Sequence, residues 1–233
     1  MIQPQMGVVV GLPLSRPVMP EWAVALATQN WPTNTNVCYC PVRGMPVDKA
    51  RIAIVEGAQN LKSPYIWMID DDVEVPYGTC RQLLKTMKQA DPKVMVVAGI
   101  YTSRQEPAEP IVYQTDGHGA FWRWKKDSIF EVNGTIGTGC MLIRTEVFDH
   151  IEKPWFQTID CESAKITDDA WFCDRVRAAG FKILADANVL CRHWDTAQQI
   201  PYEMPPDSYP MIEDELYVKP RYDEPELVQV VNV

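Results

Sequence analysis

The sequence lacks the signatures of several common classes of protein. No apolar run approaches the length that crosses a bilayer, and the opening MIQPQMGVVV has no basic start of a signal peptide. The chain also has no Gly-x-x-x-x-Gly-Lys-Ser/Thr loop, no Gly-x-Ser-x-Gly elbow and no Gly-x-Gly-x-x-Gly motif after its first apolar run. These absences argue against a transmembrane protein, a P-loop ATPase, a serine hydrolase of the elbow type and a Rossmann-type dehydrogenase.

Basic charge and paired cysteines are scarce too. The 22 Lys and Arg residues against 31 Asp and Glu give a formal net charge of −9, which argues against a general footprint for nucleic acid or an anionic membrane. A local basic groove built from Arg123, Lys125 and Lys126 is still compatible with this balance. Seven cysteines, an odd number without metal-finger spacing, indicate reduced thiols, so we expect a cytoplasmic protein.

Apolar runs and amphipathic stretches alternate through about the first 100 residues. The runs predict buried strands, and the stretches between them predict helices. The predicted strands are GVVVGLP, NVCYCPV, YIWMID and KVMVVAGIY, and the predicted helices are PEWAVALATQNW, VDKARIAIVEGAQNL and RQLLKTMKQA. This alternation predicts an α/β fold in which a mostly parallel central sheet is flanked by helices.

The alternation of predicted strands and helices stops between residues 102 and 138, a polar stretch with glycines and aromatic residues, and then resumes. GTGCMLIRTEVFDHI predicts a strand and a short helix, DDAWFCDRVRAAGF predicts a helix, and KILADANVLCRHWD predicts one or two short strands. We therefore expect a single domain over residues 1–199. The Pro- and acid-rich residues 200–233 are interpreted as an extended C-terminal arm.

Three adjacent carboxylates, Asp70, Asp71 and Asp72, follow the predicted strand YIWMID. Ligands of open α/β sheets gather beyond the carboxyl ends of the strands, so these side chains lie where a ligand is expected. A divalent cation bound to a diphosphate takes a few hard oxygen ligands, which two carboxylates at positions i and i+2 can supply. The competing interpretation is an acidic loop that caps the next helix, but a cap uses one aspartate and not three.

His193 and the pair Asp168–Asp169 are the next candidates. His193 ends a predicted strand, as Asp72 does, so both can face one crevice, and neutral imidazole is a ligand for manganese-like ions. A surface histidine with its hydrogen bonds satisfied is the plainer interpretation.

Asp168 and Asp169 open a predicted helix, where Asp168 fits the role of a cap. Asp169 is either a second such residue or a general base that the helix dipole keeps ionised.

Three further features have both a structural and a functional interpretation. Arg51 lies on a predicted helix, either on its solvated face or placed to clamp phosphate. Trp122 and Trp124 offer either faces for a sugar acceptor or a plain hydrophobic lid. The stretch GTIGTGC, which contains Gly139, either lets the backbone approach a ligand closely or is a turn before a strand.

Taken in order, four segments resemble glycosyltransferases of the GT-A fold, with the family-2-like bacterial and phage group as the closest likeness. The segments are DKARIAIVEGAQNLKSPYIWMIDDDVEVP, GTGCMLIRTEVFDHI, TDDAWFCDRVRAAGFKI and CRHWD. The resemblance covers roughly residues 7–195 and implies a single Rossmann-like GT-A domain. It also implies metal-dependent transfer of a sugar from a nucleotide-diphosphate sugar, by expectation a UDP-sugar, to an acceptor hydroxyl (EC 2.4 class), with Mn²⁺ or Mg²⁺ as cofactor.

The resemblance assigns roles to single residues. It implies that Asp70, Asp72 and His193 hold the metal ion and that Asp169 is the general base of an inverting reaction. The acidic pair usually reads Glu-Asp in this group and reads Asp-Asp here, so either carboxylate is a candidate base. Taken with the patterns above, the residues expected beside the nucleotide sugar are Pro13, Arg51, Asp71 and Gly139, and those expected beside the acceptor are Trp122, Trp124 and Asp168.

The acceptor and two competing functions stay open at this stage. The acceptor is a glycan, a lipid-linked sugar, a protein or a modified nucleobase in DNA. WMIDDDVEV superficially resembles the Asp-x-Asp nucleophile motif of haloacid-dehalogenase-type phosphatases, although Glu74 stands where their threonine is expected. The other hypothesis is a non-catalytic module that binds a nucleotide sugar on the same scaffold.

Overall fold

The computed structural model describes residues 6–114, 119–121, 124–125, 127–161 and 164–204 of the 233-residue chain. Within these ranges strands and helices alternate from the amino terminus, as the sequence predicts. The helices are α1 (Pro20–Ala27), α2 (Val47–Asn60), α3 (Thr79–Gln89) and α4 (Asp168–Ala178), together with a short 3₁₀ helix (Thr145–Asp149). The strands are β1 (Met6–Leu14), β2 (Asn36–Arg43), β3 (Tyr65–Ile69), β4 (Val73–Glu74), β5 (Val94–Ile100), β6 (Ile129–Glu131), β7 (Cys140–Arg144), β8 (Ile159–Cys161), β9 (Ala164–Ile166), β10 (Lys182–Leu190), β11 (Arg192–Asp195) and β12 (Ile200–Tyr202).

The main sheet has the strand order β2–β1–β3–β7–β5–β10–β6. Strands β2, β1, β3, β5 and β10 run in one direction, whereas β7 and β6 run antiparallel to their neighbours. A parallel return needs a crossover of a dozen or more residues, usually a helix. No helix lies between β5 and β7 in the described residues, and β7 enters the sheet antiparallel. The predicted α/β fold with a mostly parallel central sheet flanked by helices is confirmed.

Helices cover both faces of this sheet. Helices α2 and α4 pack on one face through Ile54 and Phe172, and α1 and α3 pack on the other through Trp22 and Leu83. Gly11 on β1 marks the closest approach of α2, because a Cβ there would lie 2.5 Å from Ile54 Cγ2. The doubly covered sheet leaves the carboxyl ends of its parallel strands open for a ligand.

Helix ends follow the local sequence. Helix α1 begins at Pro20 and ends at Ala27, earlier than the predicted stretch, which runs to Trp31 and meets Pro32. A proline disfavours helical backbone in the residue before it, so this stretch cannot stay helical to its end. Within the described ranges, none of the helices has both the length and the apolar character needed to cross a bilayer.

A small second sheet, β12–β11–β4, brings the end of the domain back to the acids that follow β3. Strand β11 pairs antiparallel with β4, with His193 opposite Val73, and the Trp194 N–H donates to the Asp72 carbonyl oxygen at 2.8 Å. Strand β12 continues this sheet, and residues 205–233 lie outside the described part of the chain. The division into a domain over 1–199 and an arm over 200–233 stays a prediction.

Candidate functional site

A pocket of about 280 Å³ opens at the carboxyl ends of β1 and β3. Its walls come from the segment after β1, the start of α2, the acids after β3, the start of α4 and strand β11. It contains seven ionisable residues that the sequence singled out as candidates: Arg51, Asp70, Asp71, Asp72, Asp168, Asp169 and His193. Groups far apart in the sequence therefore share one crevice.

Asp72 and His193 face each other in this pocket. Asp72 Oδ1 lies 3.5 Å from His193 Nε2, and the other ring nitrogen, Nδ1, lies 2.6 Å from the Thr102 carbonyl oxygen. A carbonyl oxygen only accepts hydrogen bonds, so Nδ1 carries a proton. In the neutral imidazole, Nε2 then presents its lone pair to the carboxylate. Two electron-rich atoms this close need a positive group between them, either a proton on Nε2 or a cation.

Two arginines that no sequence pattern marked also neutralise Asp72. Arg104 Nη1 lies 2.8 Å from Asp72 Oδ2, and Arg16 Nη1 lies 3.4 Å from the same oxygen. Burial opposes the ionisation of Asp72, but contacts with His193, Arg104 and Arg16 lower its pKa below the ordinary value. Asp72 is therefore a carboxylate at neutral pH.

Arg51 is buried and links two of the predicted acids. Its Nη2 donates to both carboxylate oxygens of Asp70, at 2.6 and 2.9 Å, and its Nη1 donates to Asp168 Oδ2. Burial would lower the pKa of Arg51, but Asp70 and Asp168 raise it. Burial raises the pKa of Asp70 to about 6, although Arg51 opposes this shift. Both terminal nitrogens of Arg51 are thus already occupied, which differs from the expected clamp on a diphosphate.

Asp168 is the first residue of α4, and the residue before it, Thr167, takes the N-cap position. The expected role of Asp168 as the cap is therefore wrong, because its carboxylate turns to Arg51 instead. Asp168 still contributes to the pocket wall, but it is buried and paired, so little of its surface is left for an acceptor.

Asp71 holds the ends of β1 and β3 together. Its Oδ2 accepts from the N–H groups of Ser15 and Arg16, at 2.5 and 3.0 Å, and from the Ser15 hydroxyl at 2.9 Å. Arg16 Nε lies 3.2 Å from the other oxygen, Oδ1. A carboxylate with this many donors is strongly held. The segment SRP after β1 is thereby fixed at the pocket mouth.

Asp169 is half-buried in the first turn of α4. Its Oδ1 accepts from the Thr167 hydroxyl and, at 2.8 Å, from the Ala170 N–H, whereas Oδ2 has no hydrogen-bond partner among the described residues. Burial raises the pKa of Asp169, the charge of Asp168 adds to this, and the Thr167 hydrogen bond opposes it. A carboxylate with a raised pKa and an unpaired oxygen at a pocket wall is suited to take a proton.

Gly139 lies against the residues that support the pocket. A Cβ there would lie 2.7 Å from Val73 Cγ2 and 2.9 Å from Tyr101 Cζ. Its N–H donates to the Tyr101 hydroxyl at 3.1 Å, and its carbonyl oxygen accepts from the Asp70 N–H at 3.1 Å. The Tyr101 ring meets the His193 ring edge-on, with centroids 5.1 Å apart. Gly139 thus helps to position Asp70 and Tyr101 directly, and His193 through the Tyr101 ring.

The remaining predicted residues differ in where they lie. Pro13 lines the pocket. Trp124 does not, because its ring is buried and stacked on Phe130 with centroids 5.5 Å apart, so core packing replaces the expected contact with an acceptor. Lys125 of the predicted basic groove is exposed and does not line the pocket, whereas Trp122, Arg123 and Lys126 lie outside the described part of the chain.

Few atoms of the pocket fit a divalent cation. In the parts of the chain that the structure describes, no group of three or more His, Cys, Asp or Glu side chains is arranged as a metal centre. Asp72 Oδ1 and His193 Nε2 are a hard oxygen donor and an imidazole donor that fit Mn²⁺ or Mg²⁺. Asp70, the expected third ligand, has both oxygens on Arg51.

Comparison with known sequences finds one family. Residues 47–152 match the family model described as glycosyl transferase family 2. This segment contains α2, β3 and the three adjacent aspartates of the pocket. No curated protein sequence matches the chain.

Solved structures match over most of the chain at low sequence identity. A197 from STIV covers 90% of this chain and 99% of its own, with a TM-score of 0.61 and 17% identity. GalNAc-T7, solved with UDP, GalNAc and Mn²⁺, covers 81% of this chain and 44% of its own, with a TM-score of 0.53 and 13% identity. TarS from S. aureus, in complex with UDP, covers 78% of this chain and 58% of its own, with a TM-score of 0.48 and 12% identity. The family match and the shared fold confirm the resemblance to family-2-like proteins of the GT-A fold.

Proposed function

We propose that this chain, which has the GT-A fold and matches glycosyl transferase family 2 over residues 47–152, transfers a sugar from a nucleotide-diphosphate sugar to an acceptor hydroxyl. One observation carries the proposal. Asp72 and His193, two donors suited to a divalent cation, line the same pocket as Asp169, a carboxylate suited to take a proton. GalNAc-T7, which has the same fold, was solved with UDP, GalNAc and Mn²⁺, and this supports a UDP-sugar and a divalent ion here.

The donor side of the pocket is built around Asp72 and His193. Their Oδ1 and Nε2 atoms would hold Mn²⁺ or Mg²⁺, which when bound supplies charge neutralisation and Lewis acidity at the diphosphate leaving group. The Thr102 carbonyl oxygen fixes the tautomer of His193, so Nε2 keeps its lone pair toward the ion. Asp71 ties the segment after β1 to this side of the pocket, where Pro13 lies close to the expected nucleotide.

The acceptor side is built around Asp169. As the acceptor oxygen forms its bond to the anomeric carbon, the bond from that carbon to the phosphate oxygen breaks and the nucleoside diphosphate leaves. Asp169 Oδ2 takes the hydroxyl proton, and the anomeric configuration inverts. The Thr167 hydroxyl orients the carboxylate, and Arg51 holds the start of α4 to the Asp70 side of the pocket. This geometry favours Asp169 over Asp168 as the base, because Asp168 is paired with Arg51.

The acceptor belongs to one of four classes: a glycan, a lipid-linked sugar, a protein or a modified nucleobase. All seven cysteines are free thiols, which supports a reducing compartment such as the cytoplasm as the place of the reaction. The acceptors to be tested are therefore members of these four classes that occur in a reducing compartment.

The direct test is a panel of nucleotide sugars incubated with Mn²⁺, with release of nucleoside diphosphate measured with and without EDTA. We expect turnover of one donor that EDTA abolishes and that Asp72→Asn abolishes. Asp160, an exposed acid on β8, supplies the control, and Asp160→Asn should leave turnover unchanged. Phosphate release from simple phosphomonoesters without a nucleotide sugar would instead favour the phosphatase hypothesis. Tight metal-dependent nucleotide binding without hydrolysis or transfer would favour a binding module.

A further inference from the structure

The carboxylate assigned to the metal ion is already neutralised by a side chain of the same protein. Arg104 Nη1 lies 2.8 Å from Asp72 Oδ2, closer than Arg16 at 3.4 Å. The Arg104 side chain is 35% exposed, whereas Asp72 is 8% exposed. A divalent cation that approaches Asp72 therefore meets a cation already in contact with the same carboxylate, and like charges at such short range repel.

Arg104 projects from a loop that is fixed at its base. The Ser103 N–H donates to the Glu109 carbonyl oxygen at 2.7 Å, the Glu109 N–H donates to Ser103 Oγ at 3.1 Å, and Thr102 pairs with Pro110. The Thr102 carbonyl oxygen also holds His193 Nδ1. Because the base of the loop is tied down while the guanidinium is partly exposed, Arg104 can leave Asp72 by side-chain rotation alone. The position of His193 then stays unchanged.

Arg16 is not equivalent to Arg104. Arg16 Nε contacts Asp71 Oδ1 at 3.2 Å, and the Arg16 N–H donates to Asp71 Oδ2, so this arginine is held to Asp71 as well as to Asp72. Among the described residues, Arg104 has one close polar contact, with Asp72. Of the two guanidinium groups, Arg104 is therefore the one whose release breaks the fewest interactions.

We propose that Arg104 is an exchange cation. It neutralises Asp72 before ligands bind, gives way when a divalent cation binds to Asp72, and then contacts the diphosphate of the donor. The proposal rests on the proposed function and deepens it. A diphosphate supplies the negative charge that the released guanidinium needs, and the planar guanidinium matches phosphate oxygens. Binding of the metal ion then raises the affinity for the nucleotide, and the nucleotide raises the affinity for the metal ion by the same factor.

The test measures Mn²⁺ binding to the full chain by isothermal titration calorimetry, first alone and then with saturating UDP. Without UDP, Arg104→Gln should bind Mn²⁺ about twofold to fivefold more tightly than the original protein, since an attraction of ion-pair size no longer competes. With UDP, the original protein should gain more Mn²⁺ affinity than Arg104→Gln does. Arg104→Lys retains the charge and should retain weak binding of Mn²⁺ alone. Arg81→Gln removes an exposed arginine of α3 and should leave both affinities unchanged.

Each other outcome overturns a defined part of the account. Unchanged or weaker Mn²⁺ binding by Arg104→Gln, with an unchanged melting temperature, contradicts competition for Asp72. Equal gains with UDP in the two proteins contradict the transfer of Arg104 to the diphosphate. If the original protein binds Mn²⁺ neither alone nor with UDP, the metal-dependent function itself fails. Normal Mn²⁺ binding with no effect of Arg104→Gln overturns only the exchange.

Discussion

At the scale of single residues, burial decides what each ion pair of the protein contributes. Arg51 and Arg192 each bridge two carboxylates that come from separate elements, so they form a matched pair. The Arg51 side chain is 3% exposed, whereas the Arg192 side chain is 49% exposed. Water can replace the partners of Arg192, but it has little access to the guanidinium of Arg51.

We expect Arg51→Leu to lower the free energy of unfolding by about 3–5 kcal/mol, because it leaves the buried carboxylate Asp168 and the half-buried carboxylate Asp70 without their cation. Arg192→Leu should lower it by less than about 1 kcal/mol, since exposed ion pairs contribute little. Urea unfolding followed by tryptophan fluorescence measures both. Equal, small effects would mean that Arg51 is not the link between these two acids.

The proton acceptor gives the second prediction at this scale. Asp169→Asn should lower kcat by about 10²–10⁴-fold, the usual contribution of general base catalysis, and should leave the affinity for the nucleotide sugar unchanged. Asp174→Asn, an exposed acid of the same helix, is the control and should keep full activity. Full transfer activity of Asp169→Asn would exclude this carboxylate as the base.

The raised pKa of Asp169 adds a pH dependence. The base works as the carboxylate, so kcat falls as the pH drops through its pKa, and a raised pKa moves this loss to a higher pH than an exposed aspartate would show. In a profile of kcat against pH, the loss of activity on the acid side should therefore occur at a higher pH than an ordinary aspartate would give. The residual activity of Asp169→Asn should lack this acid limb, and an unchanged limb would assign it to another group.

At the scale of elements, the alternation of strands and helices was predictable from local sequence. A short continuous apolar run indicates a buried strand, and apolar residues that recur every three to four positions indicate a helix. The end of β3 was predictable too, which is why Asp72 could be named. The prediction that His193 ends a strand is wrong, because β11 runs from Arg192 to Asp195 and continues past it. The direction of β7 was not predictable from its sequence, since CMLIR fits either direction equally. The position of Trp124 in the core likewise depends on its packing against Phe130, which a local pattern does not contain.

Alanine substitutions at Gly139 and Gly57 distinguish the effect of core packing on stability from the effect of helix propensity. Gly139→Ala should destabilise the protein by about 1–3 kcal/mol through overpacking, because its Cβ would lie 2.7 Å from Val73 Cγ2. It should also lower activity, since the Tyr101 ring that it displaces packs against His193. Gly57→Ala should instead stabilise α2 by about 0.5–1 kcal/mol, because its Cβ would lie 3.5 Å from Cys40 Sγ, an ordinary contact.

Thermal unfolding and a turnover assay distinguish these effects. The melting temperature should fall for Gly139→Ala and rise for Gly57→Ala, and only Gly139→Ala should lose turnover. A Gly139→Ala variant with unchanged melting temperature and turnover would show that this close approach does not position the pocket.

At the scale of the whole molecule, the pocket joins side chains from both ends of the domain. Asp72 follows β3, Arg16 follows β1, Arg104 follows β5 and His193 lies on β11. The acids could be found from the sequence because adjacent like charges are unfavourable without a positive partner. The arginines could not, since a single arginine in a loop has no pattern that distinguishes it from a solvated one. Tertiary structure alone shows that they meet Asp72.

The pocket shares the acidic balance of the whole chain, whose formal net charge is −9. Arg16, Arg51 and Arg104 all pair with acids that the pocket contains. The five aspartates that line the pocket outnumber these three arginines, so a divalent ion that adds positive charge there favours the binding of a nucleotide diphosphate.

The most direct measurement is the affinity for UDP with and without Mn²⁺, determined by calorimetry for the original protein, Asp72→Asn and His193→Gln. If Asp72 and His193 hold the cation, Mn²⁺ should tighten UDP binding to the original protein by at least about tenfold, equal to 1.4 kcal/mol, and should have little effect in either variant. An equal gain from Mn²⁺ in all three proteins would contradict the assignment of the ion to these two side chains.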